Sequence, residues 1–387
     1  MFERNNFSFD ELVFDMVDNI DEKYFISSTT IFLDPAMAGG QFVVEIEERL
    51  REYGHSDENI KGRVFGYHHN IIELNCAIND NGLVGTYEVK DFINDEITMR
   101  PDAIVSNPPF QSTNNTDKKQ PESHNLWSKF ALKANEILAD DGYIAFITPD
   151  SWGSPNSKVL KMFKENSLLN INTNISQYFN GIGSSFTAWT YQKNHNTKTV
   201  DIDGTKVDLD ALHYLPRDPA RTFSIHNKVI NTDYDRLNVA CDTKAAHSDW
   251  KKKAISKEQD AEYKYPTHHT NAQRVFAKKK SNDFDSYKVV WTTSGYFKPF
   301  LDDGNIGTTE TSLYIVVADE TEGNNLMSYF NSKVYQFIIA TGKWSGFINA
   351  RVCTLLPKLE NKFYTDEELY NLFNLTAEEI SIIEATV

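Results

Sequence analysis

The stretch Asp102–Phe110 holds the residues best suited to gripping a flat group that carries an NH2. It reads D-A-I-V-S-N-P-P-F. Its apolar run is typical of a buried strand in a parallel sheet, and the prolines end that strand because they have no N–H to donate. We therefore predict Asn107 at the carboxyl edge of a sheet, where ligands of open α/β folds bind. The predicted catalytic residues are Asn107, Pro108, Pro109 and Phe110.

Hydrogen-bond acceptors and an aromatic face define the chemistry of this stretch. The side-chain oxygen of Asn107 and the carbonyl of Pro108 can each accept a hydrogen bond, and the prolines bring no competing donor. Phe110 offers a face on which a planar ring can stack. A plain turn after a strand is the alternative, since Asn-Pro is an ordinary turn signal.

A second strand and loop lie upstream, in T-I-F-L-D-P-A-M-A-G-G-Q-F from Thr30 to Phe42. The apolar residues predict a first buried strand, and a helix is predicted from about Phe42 to Tyr53. The paired glycines allow the backbone to approach a ligand closely. The carboxylate of Asp34 disfavours a pyrophosphate and suits a cationic amino-acid group. The predicted ligand-binding residues of this loop are Asp34, Pro35, Ala36, Gly39 and Gly40.

His68 follows the next predicted strand, residues 63–67. Nucleotide-binding folds normally end this strand with an acidic residue that holds the ribose hydroxyls. An imidazole can also hydrogen-bond a hydroxyl, so we predict His68 as a ligand contact. The pair His68-His69 lacks metal-ligand spacing to other His or Cys residues, and no metal site is expected.

The two motifs together resemble those of class I S-adenosylmethionine-dependent amino-methyltransferases, above all the N6-adenine DNA methyltransferases. Their order along the chain is similar to that of the γ-type members. The resemblance implies an α/β fold: a Rossmann-like seven-stranded methyltransferase sheet followed by a C-terminal α+β target-recognition domain. It further implies S-adenosylmethionine as cofactor, double-stranded DNA as partner, and an adenine flipped out of the duplex as substrate.

The same resemblance implies roles for residues outside the two motifs. Phe7 and Ser8 are similar to an N-terminal motif whose residues reach the cofactor. Asp91 and Phe92, just past a predicted strand at 83–88, resemble the clamp on the cofactor's adenine; a solvated turn aspartate is the alternative. Phe186 resembles an aromatic that packs against the target base.

The remaining elements of the first half are predicted from periodicity and turn residues. Residues 111–124 are polar and predict a mobile loop beside the site. The other predictions are helices at 126–139 and 155–164, strands at 143–148, 171–175 and 187–192, and a hairpin within 198–215.

The second half of the chain has a different composition. We predict a catalytic domain at 1–216, a target-recognition domain at 217–360 and a helical tail at 361–387. Lysines and aromatics interleave between 244 and 280, which suits a surface that binds a nucleic-acid backbone. A solvated helix face is the alternative. The predicted substrate contacts here are Lys251, Lys252 and Lys253.

Composition bounds the partners and the compartment. The chain has 387 residues and a formal net charge of −16, which is unfavourable for holding DNA unaided and allows for a basic partner subunit. Its three widely spaced cysteines suggest no disulfide framework and a reducing, cytoplasmic setting. Neither a secretion signal nor a membrane span is expected.

Three alternatives stay open from the sequence. The same acceptor motif serves methylation of RNA adenine or of a protein glutamine. The acidity and His68 also fit a weakly cofactor-binding subunit or an interaction protein. A cognate restriction nuclease is a further possible partner.

Overall fold

The computed structural model describes most of the chain and divides it into two compact units, Met1–Asp210 and Ala211–Val387. The described residues are 9–110, 126–155, 157–175, 178–179, 185–195, 197–211, 213–241, 253–293, 295–342 and 350–387. The predicted catalytic domain ends at residue 216, six residues after the division in the structure.

A nine-stranded sheet forms the centre of the first unit, with the strand order β3-β2-β1-β4-β5-β7-β6-β8-β9. The strands are β1 (Phe32–Asp34), β2 (Val64–His68), β3 (Thr86–Val89), β4 (Ala103–Ser106), β5 (Tyr143–Pro149), β6 (Ser167–Asn172), β7 (Phe186–Gln192), β8 (Thr199–Ile202) and β9 (Thr205–Asp208). Strands β1 to β5 pair in parallel, and β7 runs antiparallel to both of its neighbours. The predicted α/β class with a large, mostly parallel sheet is confirmed.

The sheet has nine strands rather than the predicted seven. The predicted hairpin within 198–215 forms β8 and β9, and it extends the sheet by pairing with β6. Its apolar residues Val200 and Ile202 are buried. The hairpin thereby covers the hydrogen-bonding edge that β6 would otherwise expose.

Helices flank this sheet and bury their apolar faces against it. They are α1 (Phe9–Asp18), α2 (Lys23–Ile26), α3 (Gln41–Glu52), α4 (Asp57–Lys61), α5 (Ile71–Asn81), α6 (Leu126–Ile137) and α7 (Lys158–Glu165). Helix α7 begins later than predicted because Ser157 caps it, accepting from the backbone N–H of Leu160. Strand β6 ends earlier than predicted because the side chain of Asn172 accepts from the backbone N–H of Asn174 and starts a turn.

A buried carboxylate explains why β3 begins at Thr86 rather than at residue 83. Glu47, on α3, accepts hydrogen bonds from the backbone N–H groups of Val84 and Gly85 at 3.0 and 2.7 Å. It also accepts from the hydroxyl of Tyr87. These donors are therefore committed to Glu47 before the strand begins pairing.

The second unit contains two four-stranded sheets, ordered β10-β17-β14-β15 and β11-β13-β12-β16. The strands are β10 (Ala240–Cys241), β11 (Ile255–Ser256), β12 (Tyr265–Thr270), β13 (Gln273–Ala277), β14 (Tyr287–Thr292), β15 (Phe300–Asp303), β16 (Gly307–Thr308) and β17 (Ser312–Val316). The helices are Pro219–Ile230, Glu320–Phe330, Lys333–Thr341, Ala350–Cys353, Asp366–Leu372 and Ala377–Thr386. Capping boxes at Thr365 and Thr376 begin the last two of these helices.

None of the helices in the described ranges is long and apolar enough to cross a membrane.

Candidate functional site

The two predicted motifs meet at one edge of the first unit's sheet. Strands β1 and β4 are parallel neighbours, with Leu33 opposite Ile104. Asp34 ends β1, and Asn107 follows the last residue of β4, Ser106. The hydroxyl of Ser106 donates to Oδ1 of Asp34 at 2.7 Å, and both side chains are buried. Asn107 therefore directly follows the residue that hydrogen-bonds the carboxylate of Asp34.

Asn107 holds a buried acceptor that the protein leaves unused. Its Oδ1 is shielded from solvent and has no hydrogen-bond partner in the part of the chain that the structure describes. Pro108 beside it is buried, whereas Pro109 is exposed. An unsatisfied buried amide oxygen costs roughly 1–3 kcal/mol, a cost that a ligand N–H group would remove.

Aromatic rings gather around Phe110. Its centroid lies 4.8 Å from that of Phe186, with the ring planes tilted by 32°. The ring of Phe179 lies 4.6 Å from Phe186 and 6.5 Å from Phe110. Phe9 of α1 adds an edge contact to Phe179 at 6.4 Å. The site therefore has an aromatic wall beside the amide of Asn107.

Phe179 is a candidate site residue that the sequence did not predict. Phe186 is predicted from its resemblance to an aromatic that packs against the target base, but in the structure it begins β7, pairs with Pro149 and is almost fully buried. Phe179 is only partly buried. The signal that could have identified it is the dipeptide Tyr178-Phe179 in the same connection between strands.

Asp34 is a buried carboxylate without a cation beside it. Its side chain is 1% exposed. Burial raises its pKa to about 7, against the lowering effect of hydrogen bonds from the Ala36 N–H and the Ser106 hydroxyl. No Lys or Arg of the described residues pairs with it. A bound ammonium group would stabilise the charged form at this position.

The loop after Asp34 turns sharply into α3. Gly40 precedes the helix with φ of 91°, a left-handed conformation that glycine adopts without a steric cost. Met37 fastens the loop to β2, since its N–H donates to the carbonyl of Tyr67 at 3.0 Å. The loop contains Pro35, Ala36 and Gly39 between these points, and it leads the backbone from Asp34 to the amino terminus of α3.

His68 ends β2 and is almost fully buried. Its Nδ1 accepts from the backbone N–H of Asn70 at 2.9 Å, which assigns the proton of the neutral ring to Nε2. Nε2 lies 3.6 Å from Oε2 of Glu73, and the ring stacks on that of His69 at 4.8 Å. Burial, and after it the neighbouring His69, lower the pKa of His68, so it is a neutral N–H donor at pH 7. Glu73 supplies a carboxylate near the position where the sequence lacks one.

Asp91 lies in a turn, and Phe92 lies in the core. The carboxylate of Asp91 accepts from the backbone N–H groups of Ile93 and Asn94 at 2.9 and 3.1 Å, and from the side chain of Asn94 at 2.7 Å. Phe92 is buried against Phe130, with centroids 5.1 Å apart. These contacts fit the alternative of a turn aspartate, and the role of Asp91 and Phe92 as a clamp on the cofactor's adenine stays a prediction.

Several predicted residues cannot be compared with the structure or stand elsewhere in it. Phe7, Ser8, Lys251, Lys252 and the loop 111–124 lie outside the described residues. Lys253 belongs to the second unit, has φ of 55°, and its carbonyl accepts from the hydroxyl of Tyr263 at 2.7 Å.

Comparison with known proteins supports the predicted resemblance. Residues 20–184 match the family described as the Eco57I restriction-modification methylase. The predicted resemblance to class I methyltransferases is therefore confirmed for this part of the chain, and the matching family is one of restriction-modification methylases. No curated protein sequence matches the chain.

Three solved structures are among those similar to this chain. A class I S-adenosylmethionine-dependent methyltransferase from Listeria monocytogenes is 15% identical, with a TM-score of 0.40 over 50% of this chain and 62% of that one. A modification subunit of a type I restriction enzyme from Vibrio vulnificus YJ016 is 17% identical, with a TM-score of 0.39 over 49% and 45%. The type IIG restriction endonuclease BpuSI is 12% identical, with a TM-score of 0.42 over 95% and 61%. This chain thus spans less than two thirds of each of these proteins.

Proposed function

We propose that this chain, whose residues 20–184 match a restriction-modification methylase family, is an S-adenosylmethionine-dependent methyltransferase that modifies N6 of adenine in DNA. The observation that carries the proposal is the buried, unpartnered Oδ1 of Asn107, one residue from the hydrogen bond between Ser106 and Asp34.

The first unit has residues that fit the cofactor. Asp34 offers a buried carboxylate to a cationic amino group, and burial raises the pKa of this carboxylate. His68 offers a neutral N–H donor, and Glu73 a carboxylate, to ribose hydroxyls. When bound, S-adenosylmethionine supplies an electrophilic methyl group on a sulfonium.

The catalytic residues act by accepting hydrogen bonds from the amino group of adenine. Asn107 Oδ1 accepts one N6 hydrogen and the Pro108 carbonyl accepts the other, so the nitrogen lone pair is directed away from both. Phe110 and Phe179 hold the flat ring from the aromatic wall. Positioning of the amine then lowers the barrier, because a bimolecular step becomes effectively unimolecular.

A side-chain base is not required by this scheme. Bound S-adenosylmethionine would supply the methyl group and would leave as the neutral thioether. The amino nitrogen held by Asn107 and Pro108 would gain the methyl group and would then lose a proton to water. Flipping the base from the duplex costs a few kcal/mol, which the acceptor contacts and stacking help to offset.

Two measurements test the proposal. DNA from cells that express the protein should contain N6-methyladenine at a defined sequence, and the purified protein should transfer labelled methyl groups to duplex DNA. Asn107→Ala should lower the turnover by about a hundredfold or more, in the range seen when one preorganised polar contact to a reacting group is lost, while S-adenosylmethionine still binds.

A matched variant, Asn174→Ala, alters an exposed asparagine of the same unit and should leave turnover unchanged. Full activity of Asn107→Ala would contradict the mechanism. Label that resists nuclease and enters protein instead would contradict DNA as the substrate.

A further inference from the structure

One exposed aromatic side chain of the second unit has no role in the chemistry proposed above. Tyr296 is 81% exposed and lies in the loop between β14 and β15. A single exposed ring is ordinary on a protein surface, so its surroundings decide whether it marks a contact.

The loop that carries Tyr296 is joined to a second hairpin. Asn271, in the turn between β12 and β13, donates its side-chain N–H to the carbonyl of Tyr296 at 2.8 Å. Strands β12 and β13 belong to one sheet, and β14 and β15 belong to the other. The two turns, Asn271–Arg274 and Gly295–Lys298, therefore form one surface, which we call the paired tips.

The paired tips carry two cations and no acidic residue. Nζ of Lys298 lies 5.9 Å from the ring centroid of Tyr296, and the guanidinium of Arg274 lies 5.9 Å from that of Phe300. Both cations are exposed. Neither is paired with a carboxylate within the described ranges, so both charges are available to an anion.

Two lysines of the neighbouring stretch are already paired. Lys278 pairs with Glu262 at 2.7 Å, and Lys280 pairs with Asp285. These two charges are neutralised within the protein, unlike those of Arg274 and Lys298.

The surrounding segment is basic in an acidic protein. Residues 251–300 contain eleven Lys and Arg residues against five Asp and Glu residues, a net charge of +6, whereas the whole chain carries −16. A local positive field of this kind attracts a polyanion and repels acidic surfaces.

We propose that the paired tips are a contact surface for double-stranded DNA, an inference that rests on the proposed function. Arg274 and Lys298 would bind phosphates, which supply most of the affinity of such complexes. Tyr296 would contact a groove, where base edges and sugars are accessible to an exposed side chain. Duplex DNA is favoured over a protein partner because the surface combines unpaired cations with one aromatic ring and lacks an apolar patch.

Binding of the full-length protein to a fluorescent duplex that contains its methylation site tests the proposal. Arg274→Ala and Lys298→Ala should each weaken binding about five- to tenfold at 0.1 M salt, and each should lower the slope of log affinity against log salt by about 1. Tyr296→Ala should weaken binding about tenfold without changing that slope, because it removes an uncharged contact.

A second exposed pair in the same unit provides matched controls. Lys362 also lies over an aromatic ring, 4.7 Å from the centroid of Tyr364, and Phe363 is 63% exposed. Lys362→Ala and Phe363→Ala should leave affinity and salt slope unchanged. Thermal unfolding of each variant shows whether the fold is retained, and Lys298→Glu gives a larger loss through repulsion.

The outcomes separate this inference from the proposed function. If the wild-type protein methylates DNA but the tip variants bind like the controls, the paired tips are not the contact surface and the proposed function stands. If the wild-type protein neither binds nor methylates DNA, the proposed function itself fails. A preference for single-stranded over duplex DNA would also overturn the inference.

Discussion

The two units differ in how they satisfy buried charged groups. Lys288 and Asp302 of the second unit are almost fully buried and form an ion pair. Nζ of Lys288 also donates to the backbone carbonyls of Asp283, Phe284 and Ser286 at 3.0–3.3 Å. Asp34 of the first unit is equally buried, but it receives only two neutral hydrogen bonds.

Under the proposed function, this difference separates buried groups that stabilise the fold from buried groups that a ligand would pair. A buried charge is costly unless it is paired and hydrogen-bonded. Lys288 and Asp302 meet that condition within the protein. Asp34 and the neighbouring amide oxygen of Asn107 do not, so the first unit keeps an electrostatic cost that a bound ligand can relieve.

Charge is also divided unequally between the units. Residues 1–210 carry 18 Lys and Arg residues against 32 Asp and Glu residues, a net charge of −14, and residues 211–387 carry 21 against 23, a net charge of −2. Most of the acidity that is unfavourable for DNA binding therefore belongs to the first unit. The basic segment of the second unit is the part suited to a polyanion.

The largest expected effect is on stability in the second unit. Lys288→Met leaves Asp302 buried without its partner and should destabilise the protein by about 3–5 kcal/mol. Thermal or denaturant unfolding measures this, and Lys288→Met combined with Asp302→Leu should recover much of the loss. Lys333→Met, which breaks the exposed pair with Glu384, is the control and should barely move the melting temperature. If Lys288→Met and Lys333→Met lowered the melting temperature equally, the buried ion pair would not be the special stabilising contact that distinguishes the second unit.

Asp34→Asn should act in the opposite direction on stability. The folded-state pKa of about 7 lies above the value near 3.9 of an unfolded aspartate. The group therefore stabilises the fold at low pH, and this contribution is lost as pH rises through 7. Asp34→Asn should melt a few degrees higher than wild type at pH 8 and bind S-adenosylmethionine at least tenfold more weakly.

The control for that variant is Asp57→Asn, which alters an exposed carboxylate of the same unit. It should change neither the melting temperature at pH 8 nor cofactor affinity. A stable Asp34→Asn protein with wild-type affinity would mean that the buried carboxylate does not await a cation.

Cofactor affinity should depend on pH through the same group. Only the ionised form of Asp34 attracts an ammonium, so the dissociation constant for S-adenosylmethionine should fall as pH rises from 6 to 8, with release of protons on binding near pH 7. Burial lowers the pKa of His68, so this ring gains less charge than an ordinary histidine over this range. Calorimetry in buffers of different ionisation enthalpy measures the protons released. A flat profile, or the same profile in Asp34→Asn, would assign the dependence elsewhere.

The smallest expected effect concerns the aromatic wall. Phe179→Ala removes a ring whose contacts with Phe186 and Phe110 are worth about 0.5–1.5 kcal/mol. It should raise the KM for DNA several-fold with a smaller change in kcat, and Phe14→Ala, at an exposed ring of α1, should change neither. A large loss of kcat with an unchanged KM would instead indicate that Phe179 acts in the chemical step rather than in positioning the base.

Much of the fold was predictable because its signals are local. Apolar runs ended by Asp34-Pro35 and by Asn107-Pro108 predict strands and their ends directly. Element boundaries were less predictable where a distant side chain intervened. Glu47, nearly forty residues away, delays the start of β3, and the pairing of β8 with β6 depends on which strand edge is free.

The candidate site divides in the same way. Asn107, Phe110 and Asp34 were identified from residue type and position relative to a strand end. Phe179 was not, because its importance depends on a contact with Phe110 across about seventy residues of chain. The position of the Glu73 carboxylate next to the His68 ring likewise depends on how α5 begins after β2.

The order of amino acids by itself determined the acceptors, the stiff proline backbone, the carboxylate after the first strand and the basic composition of 251–300. These properties belong to individual residues and their neighbours, so they exist before folding. Only the tertiary structure decided that Ser106 would bond Asp34, that the oxygen of Asn107 would be buried without a partner, and that Asn271 would join two hairpin turns. Burial and long-range hydrogen bonds arise from packing between distant segments, which local sequence patterns do not encode.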